Sequence, residues 1–138
     1  MASSIPRERR KDLAAAYAAK NLKVAFFTEM AAYDPLTATT YTAVAGICTE
    51  VSNVATGYTT GGYALTGKAS SYLSGNGAIM TASPTSVSSA TFSARYAVIY
   101  DSATDKIEGV SDFLTSYTVT NGTITVTWDA TNGIFNIA

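Results

Sequence analysis

The sequence has no histidine and a single cysteine among its 138 residues, and these two shortages exclude most reactive chemistry. Without histidine there is no Ser-His-Asp or Cys-His nucleophile, no imidazole metal ligand and no imidazole base. Cys48 alone forms neither an internal disulfide nor a cysteine-ligated zinc or iron–sulfur site. Only carboxylate, lysine or tyrosine chemistry is left for catalysis, and we predict no cofactor and no resident metal.

Charge is also scarce, because 14% of the residues are Asp, Glu, Lys or Arg, against about 25% in typical soluble domains. Their place is taken by 21 threonines and 14 serines. Threonine is enriched in strands, and hydroxyl side chains suit the exposed face of a sheet. The composition therefore favours a mainly β protein with the length of one ordinary domain.

Long hydrophobic runs are absent, so neither export nor membrane insertion is predicted. The apolar stretch at residues 13–19 is rich in alanine, has the minimum length of a signal-peptide core, and is followed by Lys20 and Lys23. No stretch approaches the roughly 20 apolar residues of a spanning helix. We expect no membrane partner, and synthesis in a cytoplasm where Cys48 stays reduced.

Positive charge is concentrated near the N-terminus. Six of the 9 basic residues lie within the first 23 positions beside two acids, so that segment carries +4 and the remainder carries −5. Such a segment can contact nucleic acid, an anionic lipid surface, an acidic protein or another copy of the chain, or be a solvated helix. Nucleic acid is disfavoured because the acidic remainder repels phosphate. The candidate partner-contact residues are Arg7, Arg9, Arg10, Lys11, Lys20 and Lys23.

The residue pattern changes from helical to strand-like after residue 22. Pro6 suits the first turn of a helix, strong helix formers continue to Lys20, and Asn21 suits the helix end. About eight strands are predicted beyond it, including residues 24–28, 78–81, 90–101, 107–113 and 134–137, with 31–42 as a loop. We therefore predict a mainly β fold: a β-sandwich of jelly-roll-like topology spanning residues 23–138, with residues 1–22 as a basic N-terminal helix or arm.

The strongest local pattern is Asn121-Gly122 between two alternating runs, which is typical of a two-residue type I′ hairpin. The register of such a turn pairs residues of like polarity: Val119 with Ile124, Tyr117 with Val126, Thr120 with Thr123, and Thr118 with Thr125. A slip of one residue would mismatch every pair. We expect the chain to fold back on itself here.

Two motifs are close to known chemistry but fit ordinary turns better. Residues 62–69 (GYALTGKA) miss the phosphate-binding GxxxxGK[ST] pattern because Ala69 has no hydroxyl for Mg²⁺. The acids Asp101, Asp105, Glu108 and Asp112 could seat calcium or act as a carboxylate pair. Their spacing does not match a calcium loop, and aspartate is common in turns for its local hydrogen bonds. We therefore predict that the chain is not an enzyme.

Nine tyrosines leave a binding role open. Tyr58, Tyr63 and Tyr72 lie in glycine-rich loops, where aromatic rings can stack on sugars. Most tyrosines, including Tyr96 and Tyr100, fall on one face of predicted strands and are interpreted as core or subunit contacts.

Three stretches carry a family resemblance. They are residues 22–28 (LKVAFFT), 50–68 (EVSNVATGYTTGGYALTGK) and 94–101 (ARYAVIYD), in that order. Together they resemble segments of a group of small virion structural proteins of tailed bacteriophages. Within that group, the size and the acidic, β-rich body are similar to those of capsid decoration, or cement, proteins.

The resemblance implies a non-enzymatic protein on the capsid surface of a virion, made in the host cytoplasm. Such a protein binds the assembled shell and cements neighbouring capsomers. Its implied partners are the major capsid protein of the same virion and further copies of itself, as a homodimer or other homo-oligomer. No catalytic residue belongs to the family pattern. A neck or tail location, or a receptor- or glycan-binding role, is the alternative.

Overall fold

The computed structural model describes residues 6–72, 77–129 and 135–137, which form two helices and eight strands. The elements in chain order are α1 (Arg7–Ala18), β1 (Leu22–Glu29), α2 (Tyr41–Ile47), β2 (Thr49–Glu50), β3 (Tyr63–Ala64), β4 (Ala69–Tyr72), β5 (Ala78–Thr81), β6 (Thr85–Asp101), β7 (Ile107–Val126) and β8 (Phe135–Ile137). The mainly β class, the antiparallel sheets and the short N-terminal helix are confirmed. None of the helices in the described ranges is long and apolar enough to cross a bilayer.

The chain divides into two compact units. The first unit comprises Met1–Lys20, Leu65–Thr85 and Val126–Ala138, and the second comprises Asn21–Ala64 and Ser86–Thr125. This grouping follows contacts in space, and the predicted division at residue 22 stays a prediction.

The first unit is a helix on a small sheet. Its strands run in the order β4-β5-β8, antiparallel, and α1 packs against all three. The helix begins directly after Pro6, whose carbonyl accepts a hydrogen bond from Arg10 N–H (3.1 Å). Ala14 is fully buried on the helix, and Met80 is fully buried on β5. The weakly amphipathic α1 is therefore held by tertiary packing rather than by propensity alone.

The second unit is built on the pairing of β1 with β6. Its sheet has the order β2-β1-β6-β7, and β3 also pairs with β1. The β1–β6 register runs from Leu22 opposite Asp101 to Phe27 opposite Tyr96. Both faces of this pair are buried. On one face, Phe27 and Val98 pack with residues of α2. On the other face, the centre of the Phe26 ring lies 6.2 Å from that of Tyr58 and 6.4 Å from that of Phe92.

A short helix begins where the sequence pattern predicts the last residues of a loop. α2 begins after Thr40, whose side chain accepts the N–H of Ala43 (3.1 Å) as an N-cap. Val44 is fully buried in the core. Seven residues containing glycine and β-branched side chains give little helical periodicity, so this element depends on tertiary contacts.

The predicted hairpin at Asn121-Gly122 is wrong, because β7 continues straight through it beside β6. A type I′ turn needs positive φ at both central residues, whereas here Asn121 has φ +47° and Gly122 is not in the left-handed region. Asn121 N–H donates instead to Thr91 Oγ1 on β6 (3.0 Å). The second half of β7 therefore pairs with β6, and the two halves of β7 do not pair with each other.

Bulges in β6 and β7 coincide. Ser89 on β6 has φ +51°. The exposed residues change from even to odd numbers at Ser89 on β6 and at Asn121 on β7, as they do at a bulge. The flanking hydroxyls still meet, with Ser86 beside Thr125 (2.9 Å) and Ser93 beside Thr118 (2.6 Å). Seven residue steps on each strand separate these contacts, so the two bulges compensate and the register is kept.

Candidate functional site

The six predicted contact residues do not all belong to one unit. Arg7, Arg9, Arg10 and Lys11 lie on α1 and Lys20 follows it, all in the first unit, whereas Lys23 lies on β1 in the second. Arg7 begins the helix, but its side chain lies outside what the structure describes. The structure therefore groups five of the six along one segment.

Several of the basic side chains on this segment have neighbours within the first unit. Arg9 forms an exposed ion pair with Asp12 (3.1 Å), and the Lys11 ammonium lies 4.8 Å from the centre of the Tyr72 ring. Lys20 lies 4.7 Å from the centre of the Tyr17 ring. Lys68, which is not among the six predicted contact residues, donates to the backbone carbonyl of Lys20.

Charge follows the division into units. The first unit holds six basic and three acidic residues, a net charge of +3, and the second holds three basic and seven acidic residues, a net charge of −4. One cation of the first unit is Lys68, which lies 48 residues from Lys20 in sequence. The charge asymmetry of the sequence is thus a property of two folded bodies.

The most concentrated polar site of the second unit is a tyrosine–glutamate cluster of Glu50, Tyr41, Tyr58 and Tyr100. Tyr41 donates its hydroxyl to Glu50 Oε2 (2.6 Å) and Tyr58 donates to Oε1 (2.7 Å). Gly61 N–H also donates to Oε1 (2.8 Å), and Gly61 carbonyl accepts from Tyr100 (2.6 Å). The Tyr41 and Tyr100 rings stack at 4.4 Å. Sequence reasoning missed this cluster.

The hydrogen bonds of the tyrosine–glutamate cluster stabilise the fold. Burial, together with hydrogen bonding to the Glu50 carboxylate, raises the pKa of Tyr41 and of Tyr58 well above the ordinary value. Burial also raises the pKa of Tyr100. Protonated phenols that already donate to the protein's own carboxylate are poor general bases and poor nucleophiles. The cluster therefore holds the loop of residues 51–62 in place.

Tyr58 also completes the hydrogen bonding of β1. Strands β2 and β3 pair with the two ends of β1, Phe27 with Glu50 and Lys23 with Ala64, and leave a gap between them. In this gap the Tyr58 hydroxyl accepts the N–H of Phe26 (3.0 Å). A side chain thus supplies the acceptor that a neighbouring strand would otherwise provide.

Three of the four acids at residues 101–112, Asp101, Asp105 and Asp112, bind turn amides or an arginine. Asp101 accepts the N–H of Ala103 (3.0 Å), and Asp105 accepts the N–H of Thr42 (3.3 Å). Asp112 binds Arg95 through two contacts of 2.9 and 3.0 Å, which lowers the pKa of its carboxyl. Within the described ranges, no three Asp, Glu, Cys or His side chains come together as a metal site.

The remaining motifs have local structural explanations. After Gly67 the chain enters strand β4 at Ala69, whereas a phosphate loop requires a helix there. Cys48 is buried at the end of α2, and burial raises the pKa of its thiol.

Of the three tyrosines considered for sugar stacking, Tyr58 is 4% exposed and belongs to the core, while Tyr72 is 38% exposed. The interpretation of Tyr58 as a sugar platform is wrong, because its buried ring packs against Phe26 and Phe92.

The three stretches at residues 22–28, 50–68 and 94–101 lie together in the second unit, apart from residues 65–68. Residues 22–28 fall in β1 and 94–101 in β6, and these two strands pair. Residues 50–64 bind the other edge of β1 through β2, β3 and Tyr58. No sequence-family model, curated protein or solved structure matches this chain.

Proposed function

We propose that this chain is a non-enzymatic structural protein of a tailed-phage virion, which binds the assembled capsid and cements neighbouring capsomers. The observation that carries the proposal is the convergence of the three resembling stretches into one folded body around β1 and β6. If the three stretches come from a fold shared with the virion proteins, they should pack against one another, as they do around β1. We include in the proposal a sandwich-like arrangement of the sheets.

The polar chemistry of the second unit supports a structural role. Glu50 accepts three hydrogen bonds from the protein itself, and Asp112 is occupied by Arg95. These carboxylates have partners that a substrate would have to displace. Extended strands bearing serine and threonine hydroxyls provide area and hydrogen bonds, which a shell component needs.

The attachment surface in this proposal is the first unit, with its net charge of +3. A basic surface favours encounter with an acidic patch on the major capsid protein. Binding across subunit boundaries stabilises the assembled shell by mass action, because free subunits do not present the complete site.

The test is to mix the purified protein with mature, undecorated heads. We expect saturable, stoichiometric binding and a higher temperature of head disruption, with unassembled capsid protein as the control that does not bind. Absence of binding to heads, with the protein recovered only in purified tails, would contradict the proposal. Copy number in the virion separates the alternatives, because a neck or tail component is present in far fewer copies than a capsid-surface protein.

A further inference from the structure

The outer edge of β7 is long, and its second half has neither charge nor proline to protect it against pairing. β7 is the last strand in its sheet, and no described strand lies beyond it. Exposed edges are normally blunted by charges, proline, bulges or very short strands. From residue 113 to residue 128 the chain has no charged residue and no proline. The edge is therefore open to pairing on either side of the bulge at Asn121.

Other parts of the same sheet do carry such protection. The opposite edge ends in β2 and β3, which have two residues each. The first part of β7 carries Glu108 and Asp112, and Leu114 interrupts it with φ +67°. Arg95 and Ser93 are two residues apart on β6, yet their contacts Asp112 and Thr118 are six apart on β7, so β7 bulges between them. The stretch at residues 117–126 carries neither charge nor proline, and its one irregularity is the bulge at Asn121, which matches the bulge at Ser89 on β6.

The polarity of this stretch is symmetric about its centre. Thr118, Val119 and Thr120 precede Asn121-Gly122, and Thr123, Ile124 and Thr125 follow it. Because the solvent-facing side changes parity at Asn121, the four threonines are exposed while Val119 and Ile124 are half-buried. The like-polarity pairs that suggested an intramolecular hairpin are not made within the chain. A two-fold axis between Asn121 and Gly122 would make the same pairs between two chains.

We propose that β7 of a second copy pairs antiparallel with this edge over residues 117–126, about a two-fold axis between Asn121 and Gly122. Thr120 then faces the partner's Thr123, and Val119 faces the partner's Ile124. Ten residues on each chain form about ten backbone hydrogen bonds, a number typical of stable interfaces. The two sheets become one continuous sheet across the dimer.

Charge favours this occupant and this axis. Two copies of the second unit, each with a net charge of −4, repel except where a neutral surface meets a neutral surface. In the proposed register Asp129 lies opposite Leu114 of the other chain, so the two copies of Asp129 do not face each other. A slip of one residue in either direction would place polar beside apolar side chains along the strand.

Mixed cysteine variants test the register. In a Cys48→Ala background, we expect chains carrying Thr120→Cys and chains carrying Thr123→Cys to form a disulfide-linked heterodimer when mixed and oxidised. Directly opposed residues lie within the Cα separation of about 4.4–6.8 Å that a disulfide requires. Each variant alone, and the off-register mixture of Thr118→Cys with Thr123→Cys, should cross-link about tenfold less. Equal yields from matched and off-register mixtures would overturn the proposed axis.

Charge variants test the contact without cysteine. Thr120→Lys with Thr123→Lys places like charges opposite each other and should convert the dimer into a monomer in sedimentation, whereas Thr120→Lys with Thr123→Glu should restore it. Both substituted sites are exposed, so circular dichroism should be unchanged. A monomeric unmodified chain at its highest soluble concentration would overturn the proposal. The inference does not depend on capsid attachment, since a dimer that ignores heads contradicts only the proposed function.

Discussion

Tyr58 connects strand β1, Glu50 and the aromatic core of the second unit. It accepts the Phe26 N–H in the gap between β2 and β3, donates to Glu50, and packs its ring against Phe26 and Phe92. A buried backbone donor without an acceptor costs free energy comparable to a lost hydrogen bond. One phenol therefore supports both a strand and a loop.

We expect Tyr58→Phe to lower the free energy of unfolding by about 3 kcal/mol, because it leaves the Phe26 N–H and one Glu50 oxygen without their partner. Urea unfolding followed by circular dichroism measures the change. Tyr96→Phe is the matched control, since Tyr96 is half-buried outside the proposed dimer contact and its ring, which the variant keeps, lies 5.2 Å from the Arg95 guanidinium. Equal stability of the Tyr58 variant and the unmodified protein would show that the hydroxyl contributes nothing.

Alkaline pH should unfold the protein through the same cluster. The folded state raises the pKa of Tyr58 above its ordinary value of 10.0, so this residue's contribution to stability is complete below that pH and is lost as pH rises beyond it. For Tyr58 alone the slope is about 1.4 kcal/mol per pH unit. Tyrosinate absorbance should appear together with unfolding, and Tyr58→Phe should flatten the slope. Ionisation of all nine tyrosines well before unfolding would contradict this expectation.

At the scale of elements, the loop of residues 51–62 is fitted closely to β1. Gly62 has φ +76°, and a Cβ there would lie 1.9 Å from the Val24 carbonyl oxygen. We expect Gly62→Ala to destabilise the protein by about 3 kcal/mol or more, through the left-handed backbone and the displaced strand.

Gly46→Ala is the control for that prediction. Gly46 lies in α2, and a Cβ there would meet nothing within 4 Å. Alanine at this position should be neutral or stabilise by up to about 1 kcal/mol. Thermal unfolding of both variants measures the difference, and equal melting temperatures would contradict the fit of the loop.

Elements with strong local patterns were predictable, and those that depend on distant partners were not. α1, β1, β5 and most of β6 follow from propensity and alternation. The continuation of β7 through Asn121-Gly122 was not predictable, because the polarity pattern that suits a hairpin equally suits pairing with β6, a strand that begins at Thr85.

The tyrosine–glutamate cluster was not predictable either. Tyr41 and Tyr58 lie nine and eight residues from Glu50, and Tyr100 lies 39 residues from Gly61. Tyr41 lies on α2, Glu50 on β2 and Tyr100 on β6, so no single helical or strand period places these groups together. Proximity here results from the return of residues 50–64 to the edge of β1.

At the scale of the whole molecule, charge is separated between the two units, +3 against −4. If α1 docks on the capsid, replacing Arg7, Arg9, Arg10 and Lys11 by glutamine should weaken attachment to heads and flatten its dependence on salt. Binding measured across a series of salt concentrations gives both quantities.

Two variants make that measurement specific. Glu8→Gln with Asp12→Asn makes α1 more positive and should strengthen attachment, whereas Lys106→Gln removes a cation from the second unit and should have no effect. Unchanged binding by the α1 variant would remove the basic helix from the proposed attachment surface.

The loop of residues 51–62 leaves β1 at one end and returns to the same strand edge at the other. Its two ends are held by the sheet and by Tyr58, while Val54 at its outer part is 76% exposed. A foreign peptide inserted at Val54 would start and finish at fixed, neighbouring points without cutting a strand. The loop is therefore a natural position for displaying an epitope on this scaffold.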